Sequence, residues 1–420
     1  MTSDDAAAGL VRVLDAAQGA FLALDSYGGN DRSRAVLAMA EALERSFAQI
    51  LEANTLDLVV SREMSVADCL CEWLKLTPER LQNTVTILKR LASLPDPLQR
   101  VMASPYQFNL AQTYCQLMPL GVVALVYESF PELAAIAAGF CLKTGNSLVL
   151  RSCGASSHST AAICVILRDG LLDADLPVDS VSHIPSETSP NLQDLVGSAS
   201  QLNLVIPYGR PSFVEQISQQ CTPPVLKAAM GNCYLYWSSK GDLEMVRQMI
   251  IDSHVGHPDP VNAIEKVLVS PGQNPAPLVR LLNNLQAKGF KLRGDGELCE
   301  QFPDHLTLAK ENEWGKAYLD RTVAFRTTQN LKTAIAWINS HSSGHGDCIA
   351  TESYQESRQF SMGVDSALVY VNIPPYFCRN PRHGESLFLG VSSQKGQRRG
   401  LIGLEAFMTP KQIVQGESRS

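Results

Sequence analysis

The sequence predicts an α/β protein made of two successive α/β domains, and three observations predict it. Short apolar runs recur between residues 122 and 206, separated by stretches of helical periodicity. The same alternation restarts near residue 229. Apolar residues make up 45% of the 420 positions and charged residues 18%, which is globular composition with room for more than one core.

Residues 5–63 read as helices. Apolar side chains return at helical spacing through Ala35, Val36, Leu37 and Leu43, then Ile50, Leu51 and Leu56. Gly28-Gly29-Asn30 breaks that pattern as a turn. Thr77-Pro78-Glu79 joins a capping residue to a proline in the first turn, so a further helix starts there, and Leu94-Pro95-Asp96-Pro97 ends it. Strands are expected at 122–127, 147–150, 181–184 and 202–206, with helices at 133–141 and 158–172 and a short one near Leu192. This order builds a parallel sheet covered by helices, and such sheets bind dinucleotides at the carboxyl ends of their strands. In the second domain strands are expected at 234–237, 266–269, 321–325 and 368–371, a helix at 243–251, and a loop at 273–277. The tail from Gly416 is polar and expected to be loose.

The net charge of −7 argues against a nucleic-acid partner, whose phosphates call for a basic face. No apolar run of about 18 residues occurs, so no membrane span is expected. The acidic start lacks a signal-peptide pattern, which gives a cytoplasmic expectation. The 11 cysteines are odd in number and irregularly spaced, so they read as free, small core residues rather than a disulfide framework.

Several segments carry a resemblance. Leu51-Glu52-Ala53-Asn54-Thr55-Leu56-Asp57-Leu58 is similar to L-x-A-N-x-x-D-L. Pro119-Leu120-Gly121-Val122 followed by Tyr127-Glu128-Ser129-Phe130-Pro131 is close to P-L-G-V…Y-E-S-R-P. Leu142-Lys143-Thr144-Gly145-Asn146, Leu150-Arg151 and His158-Ser159 match L-K-x-G-N…L-R…H-S-N. Gly231-Asn232-Cys233, the stretch from His341 to Asp347, Val364-Asp365-Ser366-Ala367 and Ser392-Ser393-Gln394-Lys395 continue in order, with Gly346 where a hydroxyl residue is usual. Together they resemble γ-glutamyl phosphate reductase, over nearly the whole chain. The resemblance implies an aldehyde-dehydrogenase-like fold. A Rossmann-type dinucleotide-binding domain would span 1–228, with an oligomerisation flap strand at about 104–120. A catalytic domain would span 229–390, and a segment at 391–420 would return to the first domain. It also implies a small-molecule substrate, an NADPH/NADP cofactor and a homo-oligomer, possible partners including an active relative.

The family mechanism needs a thiolate that attacks an acyl phosphate and holds the acyl group as a thioester while hydride arrives. The matching stretch here is His257-Pro258-Asp259-Pro260-Val261-Asn262-Ala263, and it puts Val261 at the nucleophile position, where no lone pair exists. Ser129 and Asn262 are the other candidate catalytic residues; Asn262 and the Val261 backbone N–H could supply oxyanion donors. Phe130 replaces an arginine that would pair with phosphate or carboxylate, and Phe388 stands where an acid is expected. On the cofactor side the resemblance points to Arg151, Ser152 and Gly154 for the adenosine phosphate and to Pro207 and Gly209 for the pyrophosphate. Arg210 replaces a second glycine and either crowds the pyrophosphate or binds it. Cys233 reads as core. His254 and His257 have a metal-like spacing but no third ligand nearby, and His341 and His345 read as turn residues. Two functions stay open: a reductase of γ-glutamyl phosphate, or a non-catalytic homologue acting as ligand sensor or oligomer partner.

Overall fold

The computed structural model describes residues 3–105, 111–185, 192–198, 200–255, 262–271, 275–384, 386–394, 396 and 398–416, with side chains from residue 8. The chain divides into two units. One comprises Met1–Lys227, Arg379–Gly390 and Leu401–Ser420, and the other Ala228–Cys378 and Val391–Gly400. The expected borders near the C-terminus therefore need correction: 379–390 leaves the second domain and 391–400 joins it. Side-chain bonds explain the exchange. Arg90 donates to Asn380 Oδ1 at 2.5 Å and to the Pro381 carbonyl at 2.6 Å, and Arg379 donates to the Tyr208 hydroxyl at 2.7 Å, all inside the first unit. Arg399 instead pairs with Asp365 at 2.7 Å, inside the second.

In the first unit, helices Ser3–Leu24, Gly29–Arg45, Phe47–Glu63, Asp68–Leu74 and Pro78–Ser93 precede the sheet. The helix at Pro78 starts as its sequence predicts, with the Thr77 hydroxyl accepting the Arg80 N–H at 3.3 Å. Four parallel strands follow in the spatial order Val181–His183, Ser147–Ser152, Val122–Tyr127, Leu204–Gly209. The central strand is buried on both faces, which is why it reads as an unbroken apolar run. From it the chain builds first to one side and then, at 204–209, to the other. The topological switch point thus falls between Val122–Tyr127 and Leu204–Gly209.

The A-N-x-x-D motif has a structural explanation. Asn54 and Asp57 lie almost one turn apart on helix Phe47–Glu63. Asp57 accepts the backbone N–H groups of His158 at 2.9 Å and Ser159 at 2.8 Å, and so caps helix Ser157–Asp173 from outside. Asn54 accepts the Leu76 N–H at 2.8 Å and donates to Ser159 Oγ at 3.1 Å. The unit also holds a three-stranded antiparallel sheet, Val101–Ala103, Ala111–Pro119 and Met408–Gly416, with Thr113 opposite Val414. The described part of the expected flap strand is Ala111–Pro119, and 106–110 lie outside the described residues. So does the tail beyond Gly416.

The second unit is a seven-stranded parallel sheet in the order Thr307–Leu308, Lys291–Gly294, Thr322–Thr327, Ile264–Val269, Cys233–Trp237, Gly346–Ala350, Leu368–Val371. One face packs Leu235, Val267 and Phe325 on helices Leu243–Ser253 and Pro275–Ala287. The other packs Tyr236, Leu268 and Ile349 on helices Leu331–His341 and Tyr354–Gly363. The expected loop at 273–277 is corrected: a helix begins at Pro275. Pro275 and Pro277 fall in its first turn, where the missing N–H has no intrahelical acceptor to lose. His341 is likewise no turn residue; it ends a helix with its ring stacked on Trp337 at 3.9 Å. The 11 cysteines are all free, but Cys69, Cys71, Cys153, Cys221, Cys299 and Cys378 are only partly buried, so the core reading holds for the other five. Among the described residues no helix is long and apolar enough to cross a membrane.

Candidate active site

The parallel register of the first unit brings most of the candidate residues to one edge. Tyr127 aligns with Ser152 on one neighbour and with Tyr208 on the other, and Val126 aligns with Arg151 and Pro207. Ser129, Arg151, Ser152, Gly154, Pro207 and Gly209 therefore gather at or just beyond the carboxyl ends of three adjacent strands, beside the switch point. Asn262 belongs to the second unit, where it precedes the amino end of strand Ile264–Val269. Val261 and His257 lie outside the described residues, as does Asp259.

At the end of strand Ser147–Ser152 the Arg151 guanidinium donates to the carbonyls of Ile184, at 3.4 Å, and Pro185. The neighbouring His183 is half-buried, and this desolvation pushes its pKa down to about 4; the positive charge of Arg151 adds to the effect. Gly154 is exposed in the short turn Gly154–Ser156 that leads into the next helix. Arg151 is thus a half-buried cation standing beside an open glycine turn.

The pyrophosphate end is arranged differently. Glu128 accepts the Arg210 backbone N–H at 3.1 Å and the Arg210 Nε–H at 3.0 Å. Arg210 is thus held by an internal carboxylate rather than left as a bare cation. Gly209 has φ +155°, and a Cβ there would sit 2.9 Å from Glu128 Cβ and 3.2 Å from Phe213, so this glycine is demanded by the packing of Glu128 itself. Glu128 was legible in the sequence as part of Y-E-S-F-P, but its role depends on Arg210, which is 82 residues away.

Phe130 is fully buried at φ +66°, a left-handed conformation that bulky residues rarely adopt. Its ring stacks on Trp73 with centroids 5.2 Å apart and meets Tyr208 edge-on at 5.9 Å. Trp73 and Tyr208 were not candidates from sequence, because nothing local links three aromatics spread over 136 positions. Phe130 is therefore held in an aromatic cluster with Trp73 and Tyr208. Ser129, next to it, is 3% exposed. Phe388 is part-buried and its N–H donates to the Arg379 carbonyl at 3.0 Å.

In the second unit Asn262 is buried, donates to the Tyr370 hydroxyl at 3.3 Å, and has no hydrogen-bond partner for Oδ1 among the described residues. A Cβ on Gly346 would stand 3.5 Å from its amide. Cys233 is fully buried, 3.9 Å from His345 Nε2, and burial drives its thiol pKa well up, so it stays a neutral core thiol. Asp347 accepts the Tyr234 N–H at 2.7 Å and the Ser342 hydroxyl at 2.6 Å; burial still raises its pKa to about 6. His254 bonds the Ile250 carbonyl at 2.9 Å and packs edge-on against Phe290.

A γ-glutamyl phosphate reductase 2 from Synechocystis is 99% identical to the chain over 420 residues, covering all of both sequences. The chain belongs to the γ-glutamyl phosphate reductase family. A family member from Gloeobacter violaceus is 33% identical over 403 residues, 96% of each chain. The crystal structure of the Thermotoga maritima γ-glutamyl phosphate reductase superposes with a TM-score of 0.87 at 28% identity, covering 98% of this chain and 99% of that one. A propionaldehyde dehydrogenase from Clostridium phytofermentans, 14% identical, shares the fold with a TM-score of 0.69. No protein-family model matches the chain. The family is thus one of oxidoreductases with the aldehyde-dehydrogenase fold.

Proposed function

We propose that the protein carries out the family reaction, the NADPH-dependent reduction of L-glutamate 5-phosphate to glutamate 5-semialdehyde in proline biosynthesis, by a route without a thiol nucleophile. The observation that carries the reading is the similarity of the entire chain, end to end, to γ-glutamyl phosphate reductases. Arg151, Ser152 and Gly154 would hold the adenosine end of NADPH, which supplies hydride when bound. An acyl phosphate is already activated, so the hydride can displace phosphate at the acyl carbon directly; one proton is consumed overall and aldehyde and phosphate leave. The chain's own part is to hold the substrate and to stabilise negative charge on the acyl oxygen. The Asn262 amide N–H is the donor we assign to that charge. Without a thioester stage the rate would fall well below that of a thiol enzyme.

Val261, Phe130 and the Glu128–Arg210 pair favour a second reading, a non-catalytic homologue that serves as ligand sensor or oligomer partner. Oxidation of glutamate semialdehyde by the purified protein, with phosphate and NADP, separates the two. Turnover supports the first reading; a folded protein without turnover supports the second. We also propose a cytoplasmic homo-oligomer acting on a small molecule.

A further inference from the structure

The second unit contains a cleft of about 690 Å³ at the carboxyl ends of strands Ile264–Val269 and Thr322–Thr327. These strands are direct neighbours in the sheet. The helices that follow them leave to opposite faces: Pro275–Ala287 packs beside Val267 and Phe325, and Leu331–His341 beside Leu268. A crevice between neighbouring parallel strands whose crossovers part in this way is the usual ligand position of an open α/β sheet. Asn262 precedes the amino end of the same strand, about 20 Å away along its length. The cleft is therefore separate from Asn262.

Its lining combines an apolar floor with two opposite charges. Leu278, Leu298 and Phe302 form the floor. Arg326 lies over the Trp337 ring, 3.8 Å from its centroid, and no carboxylate stands within ion-pair distance of it among the described residues. A guanidinium held over an aromatic ring can still offer N–H groups to a carboxylate. Glu297 accepts the Thr327 hydroxyl at 2.7 Å and likewise pairs with no cation among the described residues. Arg326 and Phe325 are consecutive in the strand and point to opposite faces, and Arg326 and Glu297 both line the cleft. The volume lies within the range of small-molecule sites.

We infer that this cleft binds a small zwitterionic amino acid with an apolar side chain, its carboxylate on Arg326, its ammonium on Glu297 and its side chain on the Leu278–Phe302 floor. Trp337 makes binding observable by intrinsic fluorescence. L-leucine is the probe, titrated into the full-length protein beside 4-methylpentanoate, which lacks the ammonium, and 3-methylbutylamine, which lacks the carboxylate. The expected result is a saturable response to L-leucine, weaker by about tenfold or more for each one-charge analogue and for L-leucine with Arg326→Gln or Glu297→Gln, since each loses a charge-assisted hydrogen bond. Arg326→Lys, which keeps the charge, should lose less than Arg326→Gln. No saturable response to L-leucine, or equal affinity for all three probes, overturns the inference. The analogue comparison uses the unaltered protein, so it decides even if a variant fails to fold.

Discussion

Asn262, beside Gly346, shows a buried polar atom short of a partner among the described residues. The Asn262 side-chain oxygen is buried without a hydrogen bond among the described residues, and Gly346 beside it has no side chain to supply one. A serine at 346 would place its Cβ 3.5 Å from the amide and 3.4 Å from Tyr370, both ordinary contacts. Gly346→Ser should therefore stabilise the protein by about 1 kcal/mol through one new buried hydrogen bond. A higher unfolding midpoint in a thermal melt is the expected outcome; a lower one means the hydroxyl finds no acceptor. His183 gives a pH prediction. Its pKa falls from the ordinary 6.5 to about 4 because burial, then Arg151, disfavours its charged form. The unfolded chain therefore binds the extra proton first as pH drops. The stability that His183 contributes is present above about pH 6.5 and is lost as pH falls through about 4. His183→Gln should flatten that part of the acid limb, and an NMR titration should find the wild-type imidazole neutral at pH 5.5.

Helix Ser157–Asp173 depends on a side chain from another helix for its start. Asp57 is fully buried and takes two backbone N–H groups of that helix's first turn, plus His158 Nδ1 at 2.9 Å. Asp57→Ala leaves those donors unpaired and should cost about 2 kcal/mol, more than a surface cap would. Denaturant unfolding checks this, and a loss under about 0.5 kcal/mol would mean water replaces the carboxylate. The elements legible in the sequence were those with strong patterns: the apolar strand Val122–Tyr127, the helix capped by Thr77, and Cys233–Trp237. Those that stayed hidden had weak patterns. Lys291–Gly294 is a four-residue strand with alternating charge, Gly346–Ala350 opens with glycine and a buried aspartate, and Pro275–Ala287 starts with two prolines that mimic a loop. The site was half legible for a related reason. Glycines and cations can be placed by motif, but the Glu128–Arg210 bond and the Trp73–Phe130–Tyr208 stack join residues far apart in the chain, and only the register of the sheet brings them together.

At the scale of the whole molecule, the antiparallel sheet ends in the nine-residue strand Met408–Gly416, paired along one side only among the described strands. An edge of that length is a template for another chain. Light scattering should therefore find dimers or larger species at micromolar concentration; a monomer would count against the homo-oligomer. The central claim is chemical: the family reaction proceeds here without a cysteine nucleophile. The most direct measurement is the rate of glutamate semialdehyde oxidation with phosphate and NADP by a Cys153→Ser variant, which removes the partly buried thiol beside Ser152 and Gly154, before and after exhaustive alkylation with iodoacetamide. Slow turnover unchanged by alkylation is what the account predicts, since Val261 offers no thiol and Cys233 is buried and neutral. Turnover abolished by alkylation, or none at all from a folded protein, would contradict it.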